Sequence, residues 1–277
     1  MSARNLLAFA AALPLFMMTA EAKADNDASH AAFEHAHPVM LRSGASFVTS
    51  NHDGVDYQHA DTFAGVGYDW SPRLSLYADL HYGTTRFGYK ANVEDGLAVD
   101  GRFTTPLDVS ASTGLTLHLL KLKPFWMDID GDFEASVLNS TPHIVSLAIT
   151  TPQGNFDIAP YAQRNAHLST AWYRMRIGAT FGMRFGFVEP HLSLAFEYVH
   201  ASLDVGLNAD SRESLTMLGH DSGTFENPHQ AAFFDVLLSP GIDFHLGRRD
   251  SVGVSGTMAL GNSIDTFGAM LLFRHRF

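Results

Sequence analysis

The chain has 277 residues, contains no cysteine and carries a formal net charge of −11. The absence of cysteine excludes disulfide scaffolds, thiolate metal sites and thiol nucleophiles, and the negative charge argues against nucleic acid, whose phosphates it would repel. Apolar residues make up 46% of the chain and charged residues 17%, a balance that suits a soluble globular domain and also a transmembrane β-barrel, whose strands alternate apolar and polar residues.

The N-terminus has the three parts of a secretory signal peptide. Arg4 supplies a short positive region, residues 6–18 are an apolar stretch, and Ala-Lys-Ala at 22–24 is a small-residue cleavage signal. The apolar stretch is too short to span a membrane as a helix. We therefore predict that residues 1–24 are removed and that Asp25 begins the mature protein.

The next segment, residues 25–38, is small, acidic and rich in histidine. We predict a flexible periplasmic segment that precedes the folded domain. Its imidazoles are common ligands of zinc and copper, and two histidines spaced two apart can chelate weakly from an extended chain. A histidine-rich polar tail without fixed structure is the favoured interpretation, and we predict no metal and no cofactor. The residues concerned are His30, Glu34, His35 and His37.

From residue 39 to the end of the chain, stretches of about ten residues alternate between apolar and polar side chains and then break off. A period of two is the pattern of a β-strand. In one such stretch Leu115 and Leu117 share a face, while Thr116 and His118 share the other. The predicted strands are 39–48, 62–70, 74–83, 107–120, 125–138, 168–183, 191–200, 231–246, 251–260 and 265–277.

The breaks between these strands alternate between short and long. The short ones lie at 71–73, 121–124, 184–190 and 247–250, and the long polar ones at 49–61, 84–106, 139–167 and 201–230, with a brief one at 261–264. Outer-membrane barrels show this asymmetry, with tight periplasmic turns and long extracellular loops. The pattern predicts an all-β fold over residues 39–277, an antiparallel up-and-down transmembrane β-barrel of about ten strands. Eight and twelve are the alternative strand counts.

Alternation alone does not say which face points outward, because a soluble ligand-binding barrel also alternates, with its apolar face inside. Several predicted strands have the length that a tilted strand needs to cross hydrocarbon. Their apolar faces also carry aromatic residues at both ends, as membrane interfaces favour. These are Phe47, Tyr82, Tyr173, Tyr198 and Phe234 on the outer side, and Trp70, Phe125, Phe181, Phe244 and Phe277 on the periplasmic side.

The last predicted strand places apolar residues at alternate positions, namely Phe267, Leu271, Phe273 and the terminal Phe277. This ending resembles the C-terminal assembly signal of Gram-negative outer-membrane β-barrel proteins, although His275 stands where an apolar or aromatic residue is usual. The resemblance implies insertion into the cell outer membrane by the assembly machinery, in contact with outer-membrane lipids and lipopolysaccharide. It implies no particular function, because fold does not determine function.

Charged residues repeat on the polar faces of two successive predicted strands. Opposite charges on adjacent strands can form ion pairs, and alignment of the strand middles would place Asp130 and Asp132 near Arg174 and Arg176. We interpret the set as a structural salt-bridge network that fills the lumen; a cation or proton pathway is the alternative. Its members are Asp128, Asp130, Asp132 and Glu134 on one strand, and Arg174, Arg176 and Arg184 on the next.

A second polar cluster is predicted at the extracellular mouth of the barrel. Carboxylates beside a histidine can bind a divalent cation or activate water as a general base, and ten-stranded outer-membrane proteases of the omptin family place such residues at the mouth. The favoured interpretation is a solvated acidic rim. The cluster consists of Asp79, His81, Asp108, Glu134, Glu197 and Asp235.

These observations lead to a hypothesis about function. Ten strands lie near the size at which side chains fill a barrel, which argues against a wide general porin. We predict a polar, largely occluded lumen, with activity either in narrow-pore transport of small solutes or in surface interaction through the loops. An outer-membrane hydrolase, a protease or a lipid-modifying enzyme that uses the acidic mouth, is the alternative, as is a purely structural barrel. No catalytic residue is assigned.

Overall fold

The structure is a computed structural model, and it describes residues 38–52, 55–94, 97–137, 142–152, 154–157, 159–160, 162, 166–217, 229–260 and 266–277. The predicted signal peptide and residues 25–37 lie outside the described residues. The strands are β1 Val39–His52, β2 Val55–Ser71, β3 Leu74–Glu94, β4 Leu97–Leu122, β5 Phe125–Ser136, β6 His143–Thr151, β7 Gly154–Asp157, β8 Ala166–Met183, β9 Val188–Leu207, β10 His229–His245, β11 Asp250–Ala259 and β12 Phe267–Arg276, and a helix α1, Ala209–Met217, follows β9.

Ten of these strands form a closed barrel. Each of β1 to β5 and β8 to β12 pairs antiparallel with its neighbours in the chain, β5 pairs with β8, and β1 pairs with β12 to close the ring. Closure leaves no unpaired edge in the wall, as a strand that crosses lipid requires. The predicted all-β antiparallel up-and-down barrel of about ten strands is therefore confirmed.

The remaining two strands continue the wall above β5. β4 is 26 residues long, and it pairs with β5 between Ser110 and Leu122 and with β6 between Ala98 and Thr104. β7 pairs with β6. We call this region, formed by 85–94 of β3, 97–105 of β4, and the strands β6 and β7, the sheet extension.

The sheet extension has a small apolar core. Phe87 of β3 stacks on Phe103 of β4 with ring centroids 4.8 Å apart, and Ile144 of β6 packs in the same cluster. The prediction of long loops is wrong for much of 84–106 and 139–167, because strands occupy much of both segments. A strand that extends beyond a membrane meets water or protein on both faces. The alternation of apolar and polar residues that marked the other strands is therefore weak there.

Two other long loops are shorter than predicted. β1 continues to His52 and β2 begins at Val55, so most of the segment 49–61 is strand. β9 continues to Leu207, and α1 occupies part of the segment 201–230. The short breaks agree with the structure, where β2 and β3, β4 and β5, β8 and β9, and β10 and β11 are joined by turns of a few residues. We call this the short-turn end of the barrel.

The wall is apolar outside and polar inside. Large apolar side chains on the outer face are exposed, Leu80 by 58% and Ile177 by 59%. Polar side chains on the inner face are buried, Ser110 with 1% and Glu134 with 2% exposure. A soluble protein has the reverse distribution, whereas a transmembrane barrel has this one. No helix within the described residues is long and apolar enough to cross a membrane.

Candidate functional site

The lumen contains a cavity of about 850 Å³ that opens toward the short-turn end. Its lining begins at turn residues such as Pro72, Pro124 and Arg248 and reaches Arg174 and Glu197 inside the barrel. Every second residue of each strand points inward, and each of the ten wall strands contributes at least one charged side chain to the lining. The cavity reaches His81 and Arg174, which belong to a set of polar side chains that five strands contribute.

We call that set the polar layer. Its histidine and acidic members are nearly inaccessible to solvent, with exposures from 2% for Glu134 to 8% for His59 and His81, whereas the Arg174 side chain is 31% exposed. Groups of this kind are seldom buried unless hydrogen bonds or ion pairs satisfy them. The members are His59 and Asp61 of β2, His81 of β3, Asp108 of β4, Glu134 of β5, and Trp172 and Arg174 of β8.

One half of the polar layer is organised around Asp61. His81 Nδ1 lies 2.7 Å from Asp61 Oδ2, and His81 Nε2 lies 2.9 Å from the Ser112 hydroxyl. Ser46 donates a further hydrogen bond to Asp61. Four strands, β1 to β4, are thereby joined along the inside of the wall, and the Asp61 carboxylate is held in a fixed orientation.

The other half is organised around Asp108. Thr85 donates a hydrogen bond of 2.5 Å to Asp108 Oδ2, and Trp172 Nε1 donates to the same oxygen at 3.2 Å. His59 Nδ1 lies 2.8 Å from the Thr85 hydroxyl. Because Trp172 stands on β8 and Asp108 on β4, with β5 between them, these bonds connect strands that are not neighbours in the wall.

The predicted salt-bridge network is present in two of its pairs, with a register that differs from the prediction. Glu134 lies opposite Arg174, and Asp132 opposite Arg176. Arg174 Nη2 is 2.5 Å from Glu134 Oε2, and Arg176 Nε is 4.0 Å from Asp132 Oδ2. Arg174 also lies 3.8 Å from Glu197.

The other predicted members have different partners. Asp130 accepts hydrogen bonds from Thr116 and Thr180 at 2.8 and 2.7 Å instead of facing an arginine. Asp128 pairs with His118 at 2.9 Å, and Arg184 pairs with Glu189 at 3.5 Å near the short-turn end. The prediction aligned the middles of the two strands. A long segment joins β5 to β8, so the connection does not fix their register and the strand middles need not align.

The predicted mouth cluster is dispersed and buried. Asp79 forms an ion pair of 3.1 Å with Arg42, and Asp235 accepts a hydrogen bond of 3.3 Å from Thr266. Asp108, His81 and Glu134 belong to the polar layer, and Glu197 faces Arg174. The interpretation as a solvated rim is wrong, because Asp79, Asp108 and Asp235 are only 3 to 6% exposed. The strands continue beyond these residues, which places them inside the barrel.

Sequence reasoning missed His59 and Asp61. Both lie in the segment 49–61, which was predicted to be a loop, and the structure places them on the inner face of β2. The signal that could have found them is their spacing of two, which continues through Phe63 and matches the inward face of a strand. Among the described residues, His59, Asp61 and Glu134 are the group of histidine and acidic side chains whose ligand atoms lie close enough together to hold a metal ion.

The residues of the predicted assembly signal belong to β12, which pairs with both β11 and β1. Phe267, Leu271 and Phe277 are exposed on the outer surface by 41 to 57%. A role in assembly stays a prediction.

No protein-family model matches the chain, and no curated protein matches it in sequence. Solved structures match in fold. The outer-membrane protease OmpT from Escherichia coli is similar with a TM-score of 0.51 and 9% identity, over 87% of this chain and 97% of that one. The translocator domain of the autotransporter NalP from Neisseria meningitidis is similar with a TM-score of 0.46 and 9% identity, over 94% of this chain and 99% of that one.

At this level of identity the likeness concerns the fold alone. The chain has the fold of the outer-membrane β-barrel proteins, and the closed ring of ten strands and the polar interior described above agree with that class. Fold does not determine function, so the function has to be argued from the lumen and from the sheet extension.

Proposed function

We propose that this protein is an outer-membrane β-barrel that acts at the cell surface through its sheet extension, with a lumen that is closed to general solute flow. The observation that carries the proposal is the polar layer itself, whose hydrogen-bonded side chains come from five strands and meet the lumenal cavity at His81 and Arg174. Barrels of about this size are commonly filled by their own side chains, whereas wide aqueous channels need many more strands.

The contacts within the polar layer support a permanent closure. His81, Asp61 and Ser112 join β2, β3 and β4, while Trp172 and Arg174 of β8 reach Asp108 and Glu134. A solute that passed this height would have to break several buried hydrogen bonds at once. Each of those costs about 1–3 kcal/mol when its partner stays buried and unsatisfied.

The length of the strands supports a role above the membrane. A tilted strand crosses hydrocarbon in about 9–11 residues, and β4 has 26. About half of β4 therefore stands outside the apolar band, where it is paired on one side with β3 and on the other with β6. An ordered surface of this kind is suited to contact with another macromolecule.

The orientation of the barrel in the membrane is inferred from its short-turn end. Val39 and Phe277 adjoin one another at the short-turn end, where the Phe277 amide donates to the Val39 carbonyl. Outer-membrane barrels keep their short turns in the periplasm and their long segments outside. The sheet extension is accordingly assigned to the outside of the cell, and the cavity opens to the periplasm.

Two experiments test the orientation and the closed lumen. Because the chain has no cysteine, Asn155→Cys in β7 and Arg248→Cys in a short turn can be labelled singly with a membrane-impermeant maleimide. We expect Asn155→Cys to react on intact cells and Arg248→Cys only after permeabilisation; the opposite result would overturn the orientation.

The closed lumen is tested by recordings in planar bilayers. We expect a conductance far below that of a general porin, and a large steady conductance would support transport instead.

A third experiment tests the surface role. Cells that express the wild type should adhere to one another or to immobilised matrix proteins more than cells that express a variant with residues 143–157 replaced by a short Gly-Ser linker. Equal adhesion would contradict the proposal.

The hydrolase alternative is tested by a protease and lipase screen of the purified protein. Turnover by the wild type that is lost in Asp108→Asn would favour that alternative.

A further inference from the structure

We infer that His59, Asp61 and Glu134 form a binding site for one divalent transition-metal ion, with zinc as the ion that best fits the ligand set. Each residue offers one ligand atom, and these atoms all lie within 4.8 Å of one another. All three residues are buried, with exposures of 8, 6 and 2%. The site lies within the polar layer, where inward side chains of β2 and β5 meet although β3 and β4 separate the two strands in the wall.

The Nε2 atom of His59 is the first sign of a ligand. It is buried and has no hydrogen-bond partner among the described residues, and the nearest carboxylate oxygen, Asp61 Oδ2, is 3.5 Å away. Buried polar atoms are nearly always satisfied, and an exception calls for a bound water or ion. His59, Asp61 and Glu134 also border one cavity of about 40 Å³, which is enough for an ion or a water molecule.

The hydrogen bonds of His59 define its tautomer. Thr85 donates its single hydroxyl proton to Asp108 Oδ2 at 2.5 Å, so it can only accept from His59 Nδ1, which is 2.8 Å away. The proton of the neutral imidazole is therefore on Nδ1, and Nε2 carries a lone pair. His59 Nδ1–H is thus connected through the Thr85 hydroxyl to the Asp108 carboxylate. Metal-binding histidines usually donate their other ring N–H to a carboxylate, a backbone carbonyl or a water molecule, which fixes the orientation of the ring.

The two carboxylates are held in a comparable way. Asp61 is fixed by His81 and Ser46. Glu134 accepts from the Ser110 hydroxyl at 2.6 Å and from Arg174. Each carboxylate oxygen has a further lone pair that can bind a metal ion, so neither residue must give up its present partners.

The charges near this cavity favour a cation. Asp61, Glu134, Glu197 and Asp235 border it together with Arg174, and Asp108 accepts a hydrogen bond from Trp172, which also borders it. Five carboxylates thus lie around one guanidinium group, and a dication would offset the excess negative charge. The small cavity shares Ser46, Arg174, Glu197 and Thr266 with the large one, which gives an ion a route from the short-turn end.

The ligand types select the kind of metal. One imidazole and two carboxylates suit zinc and neighbouring transition metals, whereas calcium and magnesium prefer oxygen ligands alone. Three protein ligands with space for one water correspond to the open tetrahedral arrangement that zinc adopts.

The test uses the mature chain refolded in detergent, with His30→Ala, His35→Ala and His37→Ala introduced so that the N-terminal segment cannot contribute. In this background we expect one Zn²⁺ per chain by titration calorimetry, a higher Tm with Zn²⁺ than with EDTA, and a visible absorption band of tetrahedral Co²⁺ that Zn²⁺ displaces and Ca²⁺ does not. If the background protein binds neither Zn²⁺ nor Co²⁺, or if Ca²⁺ displaces Co²⁺, the inference is overturned.

Variants locate the site. His59→Gln and Glu134→Gln should each weaken Zn²⁺ binding at least tenfold and lose the Co²⁺ band. The matched control is His245→Gln, which removes another lumenal histidine, one that lies 3.0 Å from Glu189, and should bind Zn²⁺ as the background does. Heat-dependent mobility in SDS gels verifies that each variant is folded. Unchanged binding in folded His59→Gln would place the metal elsewhere and reject the site.

Discussion

Glu134 of β5 and Arg174 of β8 lie directly opposite one another, and Arg174 Nη2 donates a hydrogen bond of 2.5 Å to Glu134 Oε2. The same glutamate accepts from Ser110 of β4 and lies 3.8 Å from His81 of β3. This ion pair joins two adjacent strands and connects β8 to polar side chains of β3 and β4 through Glu134. Removal of Arg174 therefore tests whether the polar layer closes the lumen.

Arg174→Ala should destabilise the barrel and raise its conductance. Loss of one partner of a buried ion pair typically costs about 3–5 kcal/mol. We expect a smaller loss here because the Arg174 side chain keeps 31% of its exposure to the lumen. The uncompensated carboxylates should attract cations, so the new conductance should be cation-selective. Urea unfolding and reversal potentials in a salt gradient measure the two effects.

The control for this change is Arg174→Ala combined with Glu134→Gln, which removes the unpaired charge. It should recover part of the stability and lose the added selectivity, while Arg248→Ala in an exposed turn should behave as the wild type. Unchanged conductance in Arg174→Ala would show that this pair does not close the lumen.

Ile177→Arg should impair insertion. Ile177 is 59% exposed on the outer face in the middle of β8, and an arginine on the lipid face near the bilayer midplane costs about 2–4 kcal/mol. The neighbouring Arg176→Gln alters only the lumenal face, so it should assemble normally. The measurement is the folded fraction of outer-membrane protein in unboiled SDS gels. Normal folding of Ile177→Arg together with failure of Arg176→Gln would reverse the assignment of the two faces.

Deletion of Phe277 should lower the amount of folded protein in the outer membrane, because the C-terminal aromatic residue is predicted to be the assembly signal. Phe277→Trp keeps an aromatic residue at this position and should restore normal levels. Immunoblots of outer-membrane fractions compare the two. Equal levels of folded protein after the deletion would show that Phe277 is not needed for assembly.

Gly65→Ala should destabilise the barrel where β2 approaches β3. A Cβ atom at this position would overlap the Ala78 carbonyl oxygen and Asp79 Oδ1, and the latter accepts from Arg42 at 3.1 Å. Overpacking of this kind typically costs about 1–3 kcal/mol. Urea unfolding of the refolded protein gives the value.

Gly131→Ala is the matched control, since a Cβ atom there would meet only the Arg176 carbonyl oxygen at 3.9 Å. An alanine without strain reduces the entropy of the unfolded chain and should stabilise by about 0.4–1 kcal/mol. Equal destabilisation of both variants would mean that the close contact at Gly65 is not the cause.

The wall of the barrel was predictable from the sequence because its signals are local. Period-two alternation and short polar turns located all ten wall strands, and the inward and outward faces of β4 and β8 follow directly from that alternation. Leu115 and Ile177 point outward, and Thr116 and Arg176 line the lumen. A bilayer makes this contrast strong, since every second side chain in the apolar band must suit lipid.

Contacts across the lumen and above the apolar band were decided only by the tertiary structure. Asp130 faces two threonines instead of an arginine because a long segment joins β5 to β8 and leaves their register to packing. His59 and Asp61 of β2 approach Glu134 of β5 because the wall curves and turns their side chains toward one another over β3 and β4. β6 extends the wall because β5 ends while β4 continues. A residue's own periodicity shows which face it occupies, whereas its partner across a closed barrel depends on the register of every strand between them.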